Sequence, residues 1–438
     1  MAATVILGTG IIGTSTAYYL SQHQPDSSIH LVEASPELFA SASGYAAGFL
    51  ARDWFGPAAA ELGALSFDEH RRLAEREGGA RKWGYARSTP LSLSPRRGDG
   101  NGVDVWCREG ESRAVAAGVG VIEDADGGSA GSAPPWLRRR MGDRVELIGE
   151  EGTTAQIDPL QLSHFLLQKC LDAGVHLHQP ATALSVQTDV RGELSSVRIG
   201  DTTSSTETDV PCRRLVITAG AWSARVFSTL FPGSDKKLPI SSLAGHSLVV
   251  RSPRWGTTKT RTQSQDEGEE REGESEKGCH AIFMTNSPGY SPEIFSRVGG
   301  NIYVAGLNSA TEPLPDLATD AKGNISPQSI ATLRGTAREV LGVEGGNGGV
   351  ETGDLEVVRE GLCFRPVTPK GTPLLGRVPD EWLGRGVSTR NGAEGGVFVS
   401  AGHGPWGISM SLGTGKVLAE MIQGRKLSAD VSRLGLEV

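Results

Sequence analysis

Cysteine is scarce in this sequence, and the spacing of the few cysteines excludes two common kinds of site. The five cysteines are scattered and odd in number. Because none forms a Cys-X-X-Cys pair, neither a disulfide framework nor a zinc site is indicated. Apolar runs are also short, with none approaching the roughly 20 residues of a membrane span. The first seven residues lack a basic segment, so we expect no secretory signal. These absences together favour a reducing, cytoplasmic setting.

Positive charge is not in excess. The 43 lysines and arginines are outnumbered by 51 aspartates and glutamates, which gives a net charge of −8. This balance argues against nucleic acid or an anionic membrane surface as the main partner. At 438 residues the chain is too long for one small core, so we expect two interlocked domains.

A polar segment interrupts the second half of the chain. Residues 257–277 carry almost no apolar side chains, and residues 266–276 form a dense acidic stretch. Such a segment cannot bury enough surface to offset the entropy lost on ordering. We therefore predict a disordered surface insertion over 252–278. A neutral loop expansion is favoured over a regulatory segment.

The chain opens with a pattern typical of a dinucleotide-binding β-α-β unit. Residues 5–7 form a short apolar strand, a glycine-rich turn follows at 8–13, and a helix is expected from Gly10 to about His23. The first glycine permits the tight turn, the second lets a pyrophosphate approach the backbone, and the third lets helix and strand pack closely. The helix N-terminus then offers N–H groups and a positive dipole end to the phosphates.

A carboxylate follows at the position expected for a ribose contact. The second strand begins at Ile29 and ends at Glu33, twenty residues after Gly13. There the carboxylate can accept both ribose hydroxyls, and it disfavours a 2′-phosphate. The unit therefore predicts an adenine dinucleotide, but it does not distinguish NAD from FAD.

Five later segments distinguish the two cofactors. They are the small-residue stretch 41–50, the helix start 156–159, the Thr-Ala-Gly-Ala-Trp turn 218–222, Cys-Phe-Arg-Pro-Val-Thr at 363–368 and Gly-His-Gly-Pro-Trp-Gly-Ile at 402–408. In order and spacing they resemble the D-amino-acid oxidase, glycine oxidase and sarcosine oxidase family of flavoenzymes. The resemblance spans the whole chain, and its last two motifs are the most specific. They look closest to a fungal and plant branch of oxidoreductases within that family.

The resemblance implies a fold and a domain organisation. It implies an α/β protein in which a Rossmann-type FAD-binding domain is interlocked with an α+β substrate domain built on a mostly antiparallel sheet. The FAD-binding domain would be discontinuous, formed by residues 1–86, 150–238 and 359–438. The substrate domain would comprise residues 87–149 and 239–358, with the insertion at 252–278.

The resemblance also implies which residues bind FAD. In the family, the small-residue stretch runs along FAD to the flavin ring, a strand residue lies near the adenine, and the Thr-Ala-Gly turn passes the dinucleotide again. The implied FAD-binding residues are Gly8, Gly10, Ile11, Ile12, Gly13, Glu33, Ala34, Ser43, Gly44, Ala47, Gly48, Phe49, Leu50, Ala183, Thr218, Ala219, Gly220, Trp222, Cys363, Gly402, His403, Gly404, Pro405, Trp406, Gly407 and Ile408.

Arg365 is the strongest candidate for substrate binding. Its planar guanidinium suits a bidentate contact with a carboxylate, and the matching arginine of amino-acid-oxidising relatives holds the substrate carboxylate. The alternative is a structural arginine paired with a buried Asp or Glu. Arg52 and His246 are weaker candidates: Arg52 fits a surface position as well, and His246 fits a hydrogen-bonded position in a strand better.

The loop at 402–407 leads from a buried strand into a helix whose N-terminus would face the flavin N1–C2 carbonyl edge. There His403 either stabilises the reduced flavin or is held by backbone hydrogen bonds. Pro405 and Trp406 replace polar residues that some relatives use on the substrate side. This replacement indicates an apolar or aromatic pocket.

Two positions bear on how the flavin is attached and reoxidised. Cys363 falls where the sarcosine oxidases carry the cysteine bonded to the flavin 8α-methyl group, although a buried thiol that simply packs is also open. The sarcosine oxidases place an oxygen-activating lysine in the strand that matches residues 301–307, and here that strand has no lysine. A dehydrogenase that passes electrons to another acceptor is therefore as open as an oxidase.

These residues predict an FAD-dependent oxidoreductase that oxidises the C–N bond of a small amine or amino acid by hydride transfer to flavin N5. Arg365 and His403 would be its active-site residues, and oxygen or another acceptor would take the electrons. An FAD-binding regulatory or interaction protein with little catalysis is the alternative, motivated by the acidic segment and the missing lysine. An NAD-dependent dehydrogenase would leave the C-terminal motifs unexplained.

Overall fold

The computed structural model describes residues 3–23, 28–94, 133–138, 143–252, 278–284, 290–344, 350–351 and 355–436. The predicted insertion at 252–278 lies outside these ranges except for its two end residues. Four cysteines fall within the ranges, and all four are free and buried. In this part of the chain no helix is long and apolar enough to cross a membrane.

Strands make up most of the regular structure. In chain order the described strands are β1 (Thr4–Leu7), β2 (Ile29–Val32), β3 (Phe49–Ala51), β4 (Ala86–Ser94), β5 (Arg144–Leu147), β6 (Thr154–Gln156), β7 (His176–His178), β8 (Ala181–Thr188), β9 (Leu194–Asp201), β10 (Glu207–Pro211), β11 (Arg214–Ile217), β12 (Ser241–Arg251), β13 (Cys279–Met284), β14 (Glu293–Ser296), β15 (Asn301–Ser309), β16 (Val343–Glu344), β17 (Val350–Glu351), β18 (Glu356–Val367), β19 (Leu374–Val378) and β20 (Gly396–Ala401).

The helices lie between these strands in chain order, except for the last, which follows β20. They are α1 (Ile11–Ser21), α2 (Ala42–Tyr45), α3 (Ala60–Glu77), α4 (Gly79–Lys82), α5 (Pro159–Asp172), α6 (Ser223–Leu230), α7 (Pro327–Leu341) and α8 (Gly407–Ile422). The start of α5 is fixed by Asp158, whose carboxylate accepts the N–H groups of Leu160 and Gln161, and by Pro159 in the first turn.

A six-stranded sheet forms the first layer, in the order β19-β20-β11-β1-β2-β7. All its neighbours are parallel except β19 and β20. Strands β1 and β11 are buried along their whole length, as expected when both faces of a parallel sheet are covered. Ile6 faces a core shared with α1, α5 and α8. Its neighbour Val5 faces α6 and the antiparallel sheet β8-β9-β10.

A nine-stranded sheet forms the second layer, in the order β18-β12-β15-β14-β13-β4-β6-β3, with β5 paired to β4. Its pairs are antiparallel except for β4 with β13. One face packs on α7, where Leu333 shares a core with Val304. The other face carries Phe283, Phe295 and Tyr303, which join the core of the first layer.

The predicted fold class is confirmed: a parallel dinucleotide-type sheet stands beside a mostly antiparallel one. The domain boundaries remain a prediction. The apolar spacing over 54–77 predicts a helix from Trp54 to Glu77, and this prediction was wrong at its start, because the helix begins only at Ala60. Pro57 explains the delay, since proline disfavours helical backbone at the residue before it and lacks an N–H group.

Candidate active site

A cavity of about 660 Å³ opens at the carboxyl ends of β1, β2 and β11 and extends to β14, β15 and β18. Its wall joins the glycine-rich turn, the small-residue stretch, the 218–222 turn, the 363–368 segment and the 402–408 loop. Cofactor sites are concave and roughly 300–1,000 Å³ in volume. Five segments far apart in sequence therefore meet around a space large enough for a dinucleotide.

The glycine-rich turn is held by close backbone contacts. Gly8 has φ +99°, and a Cβ at Gly8 would lie 2.6 Å from the Cα of Ala219. A Cβ at Gly13 would lie 2.1 Å from the carbonyl oxygen of Gly8. The Thr218 hydroxyl, which donates to that oxygen at 3.0 Å, closes the turn from the other side. Only glycine fits Gly8 and Gly13, and both keep α1 tight against the sheet.

Glu33 lies where β2 ends and is oriented by backbone N–H groups. One carboxylate oxygen accepts the N–H of Thr9 at 3.0 Å, and the other accepts the N–H of Ser35 at 2.9 Å. Burial raises the pKa of Glu33, and these N–H groups oppose that rise. Since a carboxylate offers about four acceptor sites, it can still accept hydroxyl groups from the cavity side.

The small-residue stretch is linked to the glycine-rich turn through Ser43. Its hydroxyl oxygen accepts the N–H of Ile11, the first residue of α1, at 2.9 Å. A Cβ at Gly10 would come within 3.2 Å of that oxygen. The start of α1 is thus capped by a distant residue rather than by its own N-cap.

Four successive carbonyl groups of this stretch are bound by side chains. The carbonyls are those of Gly44, Tyr45, Ala46 and Ala47. Their donors come from other elements, mainly the nine-stranded sheet and its loops. The donors are Arg359 to Gly44 (3.0 Å), Tyr303 to Tyr45 (2.9 Å), Arg297 to Ala46 (2.7 Å), and both Arg297 and Gln156 to Ala47 (3.0 and 2.7 Å).

Arg297 is the donor that binds two of these carbonyls, and only 8% of its surface is exposed. Its guanidinium also pairs with Asp158 at 3.4 Å and lies 5.4 Å from the centre of the Tyr303 ring. Burial lowers the pKa of Arg297, while Asp158 raises it. A buried cation needs such partners to remain charged, so Arg297 holds both the small-residue stretch and the start of α5.

The 402–408 loop brings His403 to the cavity wall. Gly402 and Gly404 have φ values of +82° and +55°, which let the chain turn sharply between β20 and α8. His403 is buried, and its Nε2 lies 3.2 Å from the Thr414 hydroxyl. Burial lowers the pKa of His403 to about 4, so the imidazole is neutral near pH 7. Within the described ranges its Nδ1 has no hydrogen-bond partner.

Arg365 reaches across β12 toward β15. Its Nη1 donates to the Asn308 Oδ1 at 2.5 Å, and a Cβ at Gly245 would lie 2.6 Å from its Nη2. No carboxylate of the described chain lies within ion-pair distance of Arg365. The described residues therefore do not support the alternative, in which Arg365 pairs with a buried Asp or Glu. The guanidinium instead lies on the cavity wall, partly exposed.

Cys363 lies two residues before Arg365, buried and on the same wall. Burial raises the pKa of its thiol, although Arg365 and Arg359 lower it in part. The thiol form is therefore favoured in the protein as described, and whether this sulfur bonds to the flavin stays a prediction. Strand β15 contributes Tyr303, Ala305 and Asn308 to the cavity and carries no lysine.

The sequence predictions missed Glu293. This carboxylate lies at the start of β14, is 8% exposed and lines the cavity. The available signal was a glutamate beginning an otherwise apolar strand. Arg297, Arg359 and Gln156 were missed as well, because their role depends on which carbonyls lie opposite them.

Most of the predicted site residues lie on the wall of the cavity. Those on the cavity wall are Gly8, Gly10, Ile11, Ile12, Glu33, Ala34, Ser43, Ala47, Gly48, Phe49, Ala183, Thr218, Ala219, Gly220, Trp222, Cys363, Arg365, Gly402, His403, Gly404, Pro405, Gly407 and Ile408. Four predicted residues lie behind the wall: Gly13, Gly44, Leu50 and Trp406.

These four residues support the wall by packing. A Cβ at Gly44 would lie 2.3 Å from the carbonyl oxygen of Phe39, and Leu50 is fully buried. Trp406 packs against Trp54 and Phe55 with ring centres 6.3 and 5.0 Å apart. The predicted aromatic lining at this point is therefore one layer removed, and Pro405 forms the surface instead.

The two weaker candidates lie outside the cavity wall. Arg52 is exposed and pairs with Asp68 at 3.4 Å. His246 is buried, and its Nε2 accepts the N–H of Ser326 at 3.0 Å. Burial lowers the pKa of His246. It is thus a satisfied strand histidine, as favoured from the sequence.

The cavity fits FAD. At one end, Glu33 and the start of α1 offer a ribose acceptor and a phosphate-binding turn. Elsewhere on the wall lie the start of α8, Cys363 and the buried His403, whose Nδ1 has no hydrogen-bond partner among the described residues. An orphaned polar atom at a cavity wall calls for a bound partner. The flavin ring of FAD would supply one.

Comparison with known proteins agrees with this fit. The family model described as FAD dependent oxidoreductase (DAO) matches residues 3–421. The chain is 24% identical to a candidate oxidoreductase of Schizosaccharomyces pombe, C1F5.03c, over 99% of this chain and 97% of that protein. The structure is similar to glycine oxidase from Geobacillus kaustophilus (TM-score 0.68, 19% identity, 100% and 99% of the two chains). It is also similar to iminodiacetate oxidase from Chelativorans sp. BNC1 (TM-score 0.67, 18% identity, 99% and 100% of the two chains).

Proposed function

The chain belongs to the FAD dependent oxidoreductase family, and from this premise we propose that it oxidises the C–N bond of a small amine that carries a carboxylate. FAD is the cofactor, and when it is bound it accepts the electrons removed in oxidising that bond. The glycine oxidase and iminodiacetate oxidase named above are amine-oxidising proteins by name. Both of those substrates carry a carboxylate beside the amine, which supports the proposal.

Arg365 carries the proposal. Its guanidinium lies on the cavity wall, held by Asn308 and without a carboxylate partner among the described residues. The planar fork of such an arginine suits a bidentate contact with a carboxylate. Asn308 occupies one N–H group and fixes the orientation of the guanidinium, so less rotamer entropy is lost on binding.

The remaining wall residues position the cofactor and exclude water. The turns at Gly8 and Gly220 would follow the dinucleotide, and Glu33 would accept the ribose hydroxyls. Neutral His403, at the start of α8, would hydrogen-bond near the ring edge where negative charge accumulates. The compound that reoxidises the flavin, a bond from Cys363 to the flavin and the cytoplasmic location all stay predictions.

Arg365→Ala in the purified flavoprotein is the test of the proposal. We expect unchanged FAD content and a KM for the carboxylate-bearing substrate raised about a hundredfold, since a charge-assisted bidentate contact contributes about 2–3 kcal/mol. Steady-state kinetics over a panel of amino acids with a dye acceptor would measure this. Arg52→Ala, which removes an exposed arginine outside the cavity, is the matched control. An Arg365→Ala variant with unchanged KM on every substrate would contradict the proposal.

A second measurement separates an enzyme from an FAD-binding regulatory protein. Denatured protein should release FAD into the supernatant, or keep it in the precipitate if Cys363 is bonded to it, and Cys363→Ala should then release it. Turnover of at least one amine by the yellow protein supports the enzyme. FAD without turnover of any amine in the panel favours the regulatory alternative.

A further inference from the structure

Residues 310–324, here called the strap, link β15 to α7 and form part of the cavity wall. Ala321 alone in this range is buried, in a small core with Leu362 and Phe364 of β18. A segment that buries so little apolar surface belongs to the part of a fold that opens most easily. Four of its residues line the cavity: Ala310, Asp316, Leu317 and Ala318.

On one side the strap is bound to residues that follow β11. The indole N–H of Trp222 donates to the carbonyl oxygen of Pro315 at 2.8 Å. The guanidinium of Arg225 donates to the carboxylate of Asp316 at 3.0 Å. Trp222 and Arg225 line the cavity themselves. This side of the strap is therefore fixed to the start of α6.

On the other side the strap is bound to residues that follow β2. The Ser35 hydroxyl donates to the Thr319 hydroxyl oxygen at 3.4 Å, and the Ser35 oxygen accepts the N–H of Thr319 at 3.3 Å. Lys322 pairs with Glu37, and both of these side chains are about half exposed. Exposed ion pairs contribute little to stability and are screened by salt. The ion pair on this side is therefore easily broken.

The strap crosses the carboxyl end of β1. In the sheet, β1 lies between β11 and β2, and neighbouring strands are about 4.8 Å apart, so β11 and β2 are roughly 10 Å apart. Asp316 and Thr319, which contact the two sides, are three residues apart and can span about 10 Å at roughly 3.3 Å per residue. Leu317 and Ala318, between them, line the same cavity as Gly8. The strap therefore passes over the turn that begins at Gly8.

We propose that the strap is a gate for the cofactor, and that FAD is exchanged only when the strap releases Ser35 and Glu37. The turn that would hold the pyrophosphate lies beneath the strap, so a dinucleotide bound there cannot leave while the strap is closed. The side held by Trp222 and Arg225 would act as the hinge. The inference concerns FAD rather than the substrate, so it goes beyond the oxidation of an amine and stands whichever amine is oxidised.

A disulfide that holds the strap closed tests the inference. The Ser35 and Thr319 hydroxyl oxygens are 3.4 Å apart, so sulfur atoms in their place need only a small shift to reach the roughly 2.05 Å of a disulfide. The double variant Ser35→Cys, Thr319→Cys is purified with FAD bound, and exchange for isotope-labelled FAD is followed by mass spectrometry. We expect exchange in the oxidised protein to be slower by about tenfold or more than in the same protein after reduction, because the strap must open first. Equal rates in the two forms would overturn the inference. If the flavin proves to be bonded to Cys363, the variants are made in Cys363→Ala.

If the double variant does not retain FAD or does not form the disulfide, Lys322→Met decides. Neither Lys322 nor its partner Glu37 lines the cavity. We expect FAD exchange about two- to fivefold faster than in the wild type at low salt, because one contact of the strap is lost, and a smaller difference at high salt. Lys169→Met, which breaks a partly exposed pair with Glu77 outside the cavity, is the matched control and should leave exchange unchanged. The same exchange rate in Lys322→Met, Lys169→Met and the wild type at every salt concentration would overturn the inference.

Discussion

The two sides of the cavity are built from different parts of the polypeptide. On the dinucleotide side the wall is backbone: glycine-rich turns, helix starts and one carboxylate held by N–H groups. On the sheet side the wall is formed by side chains, among them those of Glu293, Tyr303 and Arg365. The small-residue stretch links the two sides: part of it lines the cavity, and four of its carbonyls accept hydrogen bonds from side chains of the nine-stranded sheet and its loops. On the dinucleotide side, close backbone contacts limit which residues the wall can contain. On the sheet side, charge and hydrogen bonding limit which groups can bind.

The largest effect is expected where backbone touches backbone. Alanine normally stabilises a helix interior by up to about 1 kcal/mol relative to glycine. Gly13→Ala should reverse this sign and cost about 3 kcal/mol or more, with loss of FAD, because its Cβ would lie 2.1 Å from the Gly8 oxygen. Denaturant unfolding measures the change. Gly335→Ala, in α7 with open space around its Cβ, is the matched control and should be stabilising. A stable, FAD-bound Gly13→Ala would show that the backbone wall can yield.

The next effect tests whether the side-chain wall supports the backbone wall. Arg297→Met should cost about 2–4 kcal/mol, because it removes donors to Ala46 and Ala47 and leaves Asp158 without its cation. FAD retention should fall with stability. Thermal unfolding with and without added FAD measures both quantities. Arg334→Met breaks an exposed pair with Glu360 and should change stability by less than about 0.5 kcal/mol. Equal changes in stability and FAD retention in the two variants would show that the side-chain wall does not support the backbone wall.

The smallest effect concerns pH and two buried histidines that contact α8. Burial lowers the pKa of both His70 and His403 from 6.5 to about 4. The unfolded chain therefore binds protons first as pH falls below 6.5, and the stability present above that pH is lost progressively toward pH 4. Each histidine should contribute up to about 2 kcal/mol of loss between pH 7 and pH 5. Urea unfolding at both pH values would show a smaller loss in His70→Gln than in wild type. An equal loss in both proteins would argue against neutral His70.

The dinucleotide side could be predicted from sequence because its requirements fall on single residue types. A left-handed turn at Gly8 and a close contact at Gly13 leave little choice but glycine. Glu33 follows at a distance set by one helix and one strand. Burial of β1 and β11 on both faces likewise appears as short apolar runs.

The sheet side could be predicted only in part. Arg365 was found through its motif, but its partner Asn308 depends on the irregularity at Gly306, which changes which residues of β15 face inward. Whether Glu293 faces the cavity depends on the register between β14 and β15. The role of Arg297 depends on carbonyls that lie roughly 250 residues away in the chain. Such long-range register is not encoded in local pattern, so these residues required the structure.

Strand order in the six-stranded sheet also bears on how the protein is made. The central strand β1 pairs with β11, and β11 pairs with β20, so the sheet is completed only by residues 396–401. Contacts between residues so distant in sequence form late and slowly, because loop closure must precede them. During synthesis, the glycine-rich turn therefore emerges long before the segments that close over it. FAD can be enclosed only near the end of translation, and free FAD at that moment would favour productive folding over aggregation.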